Sequence, residues 1–422
     1  MTSTTTSPTS SASVEPAHPP SRRRHGTGFW LIALAFLTAM AFGAVPTPLY
    51  PLYMARDGFS TFTVTLVFAV YVIGVMASLL LAGHVSDWIG RKKIVLSSLT
   101  LELVAAVLFL ADPALPVLLI ARVITGLGIG MLTAAATAHL HELHAAHRPD
   151  ASPQRFEVVS TAANIGGIGV GPLVAGLLAE YVGAPLRVPY LVFLGLLLLS
   201  MLAVAVSPET VVARFPRPAY RPQRISSDHG SPARYVAAAA GGFASFALFG
   251  VFTSVAPGFV SGVLHQSSHA VAGVVAFAVF AAAAVGQVLT TRLDERARRT
   301  LGLAAQALGI VVVVIGMHVT DFTTFLVGGI VAGLGAGVFF KSAVGAVAGM
   351  ARPGKRSEAL AGLFLISYVG LAVPAIAVGI ATRYTTATTA MTWVAAALLA
   401  VLAVAGVLAG RSSRTAAVGG WE

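Results

Sequence analysis

The chain has 422 residues; 56% are hydrophobic, only 10% are charged, and the mean hydropathy is +0.84. An average soluble domain carries about 25% charged residues, so a water-soluble globule is excluded. Cysteine is absent, which removes disulfides, thiol chemistry and thiolate metal sites, and the net charge of +11 has to be explained by where the cations sit.

The chain has room for about twelve spans of some 20 residues joined by short loops. The apolar runs predict helices at roughly 28–50, 60–83, 94–111, 114–141, 156–181 and 187–206. A second set follows at roughly 234–262, 269–291, 299–318, 322–349, 357–382 and 387–410. Residues 1–27 read as a tail, disordered where Ser, Thr and Pro dominate. Residues 28–206 form an N-terminal six-helix half, 207–233 a basic Pro- and Arg-rich cytoplasmic linker, 234–410 a C-terminal half and 411–422 a tail. The run after Arg22, Arg23 and Arg24 is too long for a signal peptide and opens a series of spans, so it is the first helix.

With the N-terminus placed in the cytoplasm, the cations of the chain gather in cytoplasmic segments. The exceptions are Arg56, Arg187 and Arg383 in exterior loops and Arg122 and Lys341 within helices. Such an asymmetry is the positive-inside rule; it predicts cytoplasmic termini and accounts for the basic charge without nucleic acid.

Between the second and third predicted helices lies Gly83-His84-Val85-Ser86-Asp87-Trp88-Ile89-Gly90-Arg91-Lys92-Lys93. In a tight turn Asp87 can accept from exposed helix N–H groups, while the cations face carbonyl ends and anionic lipid. Helix four contains Arg122 followed by Gly126, Gly128 and Gly130. An arginine in hydrocarbon is costly and faces a bundle interior or cavity, unless it snorkels to the nearby surface. The glycines let a neighbouring helix approach closely. About half a chain later, helix ten repeats the pattern with Gly333, Gly335 and Gly337, and helices five and eleven each carry a mid-span proline, Pro172 and Pro374. Two related halves around a central cavity leave such an echo.

Helix five reads Asn164-Ile165-Gly166-Gly167-Ile168-Gly169-Val170-Gly171-Pro172-Leu173-Val174-Ala175-Gly176. Proline bends the helix and the small residues allow tight packing. Glu102 is the one carboxylate well inside a span, about nine residues or roughly 13 Å from the cytoplasmic end of helix three. A carboxyl there can carry a proton or pair with Arg122. Lys341 can meet an anionic substrate or snorkel to the interface. Asn164, Gln287, Tyr71 and the aromatics Phe243, Phe246, Phe249, Phe364 and Tyr368 are candidate cavity residues. At the end of helix four, His141, His144 and His147 share one face near His139 and Glu142; a solvated interface is expected there and no metal site.

These motifs resemble those of the major facilitator superfamily. Gly83, Asp87, Gly90, Arg91 and Lys92 match its loop signature, Gly-x-Leu-x-Asp-Arg-x-Gly-Arg-Lys/Arg, with Val85 for Leu and Trp88 for the first Arg. Arg122, Gly126 and Gly130 resemble its fourth-helix motif, in which the Arg is linked to energy coupling. Gly167, Gly171, Pro172 and Gly176 look like the fifth-helix motif of twelve-helix drug:proton antiporters, with Ala175 at one Gly position; helix one lacks the acidic residue many of those carry. The resemblance implies an all-α integral membrane protein of two six-helix bundles working by alternating access. The loop would be a conformational switch, and Arg122 and Glu102 would serve energy coupling. It implies export of small amphiphilic compounds against proton (or sodium) entry, with uptake of a sugar or organic acid by symport as the alternative. A monomer in the inner (cytoplasmic) membrane is expected, with no cofactor and no enzymatic activity.

Overall fold

In a computed structural model of the chain, residues 22–82, 85–211, 220–225, 231–352 and 355–418 are described. Among them twelve helices are long and apolar enough to cross a membrane. They are α1 (Arg22–Asp57), α2 (Thr61–Ala82), α3 (Arg91–Ala111), α4 (Leu115–His147), α5 (Gln154–Tyr181), α6 (Val188–Val206) and α7 (Pro232–Ser254). The remainder are α8 (His269–Leu289), α9 (Glu295–His318), α10 (Phe322–Met350), α11 (Arg356–Ala381) and α12 (Ala387–Gly410), the last running on to Val418. The first 21 residues of the expected tail, and Gly83 of the loop signature, lie outside the described residues.

Several boundaries differ from expectation. Pro46, Pro48 and Pro51 lack the amide donors a regular helix needs. The first span therefore passes through a 3-10 turn, Thr47–Leu49, and a further helix, Tyr50–Asp57, instead of ending near 50. The seventh span breaks at Val255 ahead of Pro257, and a short helix, Ala256–Gly262, follows. The cations Arg91, Lys92 and Lys93 belong to the first turn of α3, and α4 extends to His147.

The packing repeats. In the first half α4 packs on α1, α2 and α3, and α6 on α1 and α3; in the second half α10 packs on α7, α8 and α9, and α12 on α7 and α9. Each contact has its counterpart six helices later. The halves meet along two seams, α2 with α11 and α5 with α8, which exchange under the same pseudo-symmetry. The glycine echo explains the match. Gly126 and Gly130 of α4 press against the backbone of α2, and Gly128 against α3; Gly333 and Gly337 of α10 press against α8, and Gly335 against α9. A side chain at any of these positions would push the helices apart.

Outward faces are apolar: Leu198, Leu199 and Leu202 of α6 are exposed. In water such a surface would drive association, whereas hydrocarbon is a matching solvent for it.

Candidate functional site: a central cavity between the two halves

One face of the molecule carries the loop between α2 and α3 and most of the cations; it is called the basic face below. At the opposite face the halves are packed shut. Gly176 of α5 lies against the backbone of His269 at the start of α8, and Glu180 Oε2 accepts from His269 N at 2.7 Å. On the other seam Thr65 of α2 meets Gly379 of α11, and the Arg383 guanidinium lies 5.3 Å from the Phe62 ring centre. The helix Tyr50–Asp57 sits against Ala256–Gly262 through Met54 and Gly258.

Toward the basic face the helices diverge around two connected chambers. The inner one, of about 110 Å³, is walled by α1, α2, α4 and α5 on one side and α7, α8, α10 and α11 on the other. Aromatic rings dominate it: Phe246 lies 4.9 Å from Phe340 and 5.4 Å from Tyr368, and Phe249 stacks on Phe280 at 4.9 Å. The outer chamber, of about 630 Å³, shares Asn164, Phe340, Phe364 and Tyr368 with the inner one and adds Ser160, Thr161, Gln287 and Lys341. Asn164, Gln287, Phe246, Lys341 and Tyr368, drawn from five helices, thus come together around one space. Tyr71, Phe249 and Phe364 join them, whereas Phe243 lies against the Gly370 backbone and lines neither chamber.

Lys341 does not snorkel away. Its Nζ donates to Gln287 O and Thr291 Oγ1, both at 2.8 Å, and lies 3.8 Å from Glu157 Oε2 across the seam between halves. Asn164 sits in a π-helical segment, Ala162–Gly166, of α5, an irregularity that no residue in the sequence announces. Such bulges are frequent at functional positions, because they re-aim side chains on an otherwise regular helix. The glycines that follow divide between partners: Gly167 and Gly171 seat α1, while Gly169 and Gly176 seat α8 across the seam.

Arg122 is 1% exposed, so it does not reach the surface. Its Nη1 donates to Gly43 O of α1 at 2.8 Å, and the guanidinium lies 4.5 Å over the ring of Tyr71, which lines the inner chamber. Glu102 is fully buried between α3 and Gly128 of α4 and lines neither chamber. Both its carboxyl oxygens lack a hydrogen-bond partner, and no direct ion pair joins it to Arg122.

At the basic face, Arg91 gathers the loop signature into a network within the first half. It contacts Asp87, donates to Ser86 Oγ at 2.7 Å, and pairs with Glu142 at the end of α4 at 3.0 Å. Lys92 donates to the carbonyls of Ala205 and Ser207 at the end of α6. The residue that accepts from the exposed N–H groups of α3 is Glu209, at 3.0 and 3.1 Å from Arg91 N and Lys92 N, and not Asp87. Gly90 has φ of +119°, a conformation only glycine takes readily, and a Cβ there would strike Glu209. The histidines of α4 diverge: His139 Nε2 lies 2.9 Å from Pro208 O, His144 Nε2 3.3 Å from Ser152 O, and His147 Nδ1 2.8 Å from Arg22 O. His141 packs edge-on against Phe156. They fasten α4 to its neighbours, and among the described residues no group of three or more potential ligands converges. Glu209, Glu157 and Gly43 carry no sequence signal that marks them; Glu142 stood inside the histidine cluster.

Two like bundles around a cavity sealed on one side define a secondary membrane carrier. The sequence profile of the Major Facilitator Superfamily matches residues 31–265, and the chain belongs to that superfamily. Over 154 residues it is 28% identical to the "Uncharacterized MFS-type transporter Rv1250" of Mycobacterium tuberculosis (strain ATCC 25618 / H37Rv). That match takes in 36% of this chain and 26% of the relative's length. The crystal structure of the human organic anion transporter MFSD10 (TETRAN) covers 92% of this chain and 100% of that one, with a TM-score of 0.67 and 17% identity, a likeness of fold.

Proposed function

We propose that the chain exports small amphiphilic compounds in exchange for protons by alternating access, with residues 28–206 and 234–410 rocking as two bodies. The observation that carries this reading is the two-chambered cavity, walled by both halves and packed shut on the face away from the basic loops. The positive-inside rule puts the basic face in the cytoplasm, so the cavity is loaded from inside. An aromatic inner chamber with sparse charge suits an apolar or weakly polar body. The fifth-helix glycines, divided between α1 and α8, resemble the drug:proton antiporter pattern and favour export.

Glu102 would carry the proton. An unpartnered carboxyl in the membrane interior is expensive and is a functional hypothesis by default. Losing or gaining a proton there changes the field on Arg122, which holds α1 at Gly43 and stacks on Tyr71 in the cavity wall. The loop network of Asp87, Gly90, Arg91 and Lys92 would release and re-form as the bundles rock.

The test is transport by the purified chain in vesicles with an imposed pH gradient, using amphiphilic dyes of positive, negative and zero charge. Movement that needs the gradient and runs opposite to protons is expected. Movement with the protons would establish the uptake alternative, and gradient-independent equilibration would overturn coupling altogether.

A further inference from the structure

We infer that the cavity selects organic anions: a carboxylate or sulfonate held at Lys341, with a single small ring among the aromatics of the inner chamber. The inference rests on the transport reading for the same site and adds the charge and size of the substrate.

The charge inventory of the wall comes first. Among the described residues lining the two chambers, Lys341 is the sole Lys or Arg, no Asp or Glu is present, and His141 of the outer chamber is the one histidine. An ammonium has three N–H donors and no acceptor. Two of the donors of Lys341 are spent on neutral oxygens, Gln287 O and Thr291 Oγ1. These orient the group without cancelling its charge. The nearest carboxylate, Glu157, stands 3.8 Å away with 40% of its side chain exposed. That is beyond hydrogen-bond range, and an exposed pair of this kind is weak. One donor of Lys341 thus remains for an incoming acceptor, and an anion satisfies it best.

The second observation is the arrangement around it. Phe340 precedes Lys341 in α10 and lines both chambers, so the cationic end and the aromatic pocket are contiguous. The inner chamber, at about 110 Å³, is on the scale of the roughly 150 Å³ cavity known to take up benzene. It fits one ring. Aromatic walls alone would also attract an organic cation through their π faces. Lys341 opposes that choice, because a bound cation would face an ammonium with no carboxylate on the chamber walls to offset it.

The experiment measures equilibrium binding by calorimetry, with the full chain in lipid nanodiscs near neutral pH. The ligands are three of one skeleton: phenylbutyrate, phenylbutanol and phenylbutylamine. Phenylbutyrate is expected to bind about tenfold or more tighter than the alcohol, and the amine weakest, since hydrogen bonds to charged groups are the stronger ones. Lys341→Gln should bring the anion-to-alcohol ratio close to one, while Lys341→Arg, which keeps the charge, should preserve most of it. Equal binding of acid and alcohol by the unaltered chain overturns the inference, as does preference for the amine or failure to bind phenylbutyrate. An unchanged ratio in Lys341→Gln does the same. Binding needs no gradient, so the two readings fail separately. Selective phenylbutyrate binding without any vesicle transport sinks the transport reading alone, and gradient-driven export of cationic dyes by a chain indifferent to phenylbutyrate sinks this one.

Discussion

Glu102 of α3 and Gln306 of α9 are polar side chains buried on the third helix of each half, and their surroundings differ. Gly128 of α4 meets the Glu102 carboxyl, whereas its repeat counterpart Gly335 of α10 meets the backbone of Gln306. Both side chains are fully buried. Gln306 Nε2 donates to Ala244 O of α7 at 2.8 Å, while neither oxygen of Glu102 has a partner. One half thus buries a hydrogen-bonded, permanently neutral amide, and the other an ionisable acid without a partner.

That contrast makes Glu102→Gln the test of proton carriage. Glutamine matches glutamate in shape and is neutral, so folding stability should change by about 1 kcal/mol. Transport should lose its dependence on the pH gradient while substrate binding persists. A Glu102→Gln variant that still concentrates substrate when a pH gradient is imposed would remove Glu102 from the coupling mechanism.

The loop signature predicts a separation of stability from function. Asp87 is exposed and meets Arg91, whose side chain is mostly buried and also pairs with Glu142. Exposed ion pairs contribute about 0–1 kcal/mol, so Asp87→Asn should fold, insert and melt nearly as the parent does. Transport should nevertheless be abolished if Asp87 acts in the conformational switch. Arg91→Ala removes the hub and should lower thermal stability as well. Full transport by Asp87→Asn, measured in the same vesicles, would refute the switch role.

Glycine positions within the membrane should differ sharply. A Cβ on Gly126 would stand 2.9 Å from Val75 N and 3.0 Å from Gly74 Cα, whereas one on Gly345 would meet nothing within 4 Å. Gly126→Ala should destabilise by about 1–3 kcal/mol through overpacking against backbone that cannot yield. Gly345→Ala should be neutral or stabilising by up to about 1 kcal/mol, from its better helix propensity. Thermal denaturation in detergent reads both; equal melting temperatures would contradict the close α2–α4 approach.

Acid should loosen the start of α10. Asp321 caps that helix, its Oδ2 accepting from Thr324 N at 2.6 Å, and hydrogen bonding from the Thr324 side chain and then its backbone holds the carboxyl below the ordinary range. A depressed folded value means that the stabilisation is complete above the unfolded value, about 3.9, and is lost as pH falls through the lower folded one. The acid-side drop in melting temperature should shrink in Asp321→Asn, which caps without titrating. An identical pH profile in the two proteins would argue against this role for the cap.

Much of the architecture was legible in the residues. Twelve apolar runs of spanning length, the Gly126/Gly333 echo and the clustering of cations announced a twelve-span protein of two related halves, because span length is set by bilayer thickness. All of the aromatic and amide residues named for the cavity except Phe243 lie along the two chambers, and polar groups within spans seldom face lipid. What the sequence left open was the partner of each buried group. It offered Arg122 as a mate for Glu102, yet the guanidinium serves Gly43 O and Tyr71. It offered Asp87 as the acceptor for the N-terminus of α3, a role that Glu209 fills from just beyond the end of α6. For Lys341 it left both an anionic substrate and the interface open, and the side chain turns inward to Gln287 and Thr291.

The division has a physical cause. In water, an apolar stripe on a helix tells which side faces the core, but lipid and helix interior are about equally apolar, so the hydrophobic pattern of a span carries little information about its rotation. Sequence by itself therefore determined how many helices cross, where most of them end to within a few residues, and that they fall into two like halves. The rotation of each helix was decided only in the packed structure, by glycine contacts such as Gly126 on α2 and Gly176 on α8. With it came the aim of Lys341 into the cavity and the isolation of Glu102.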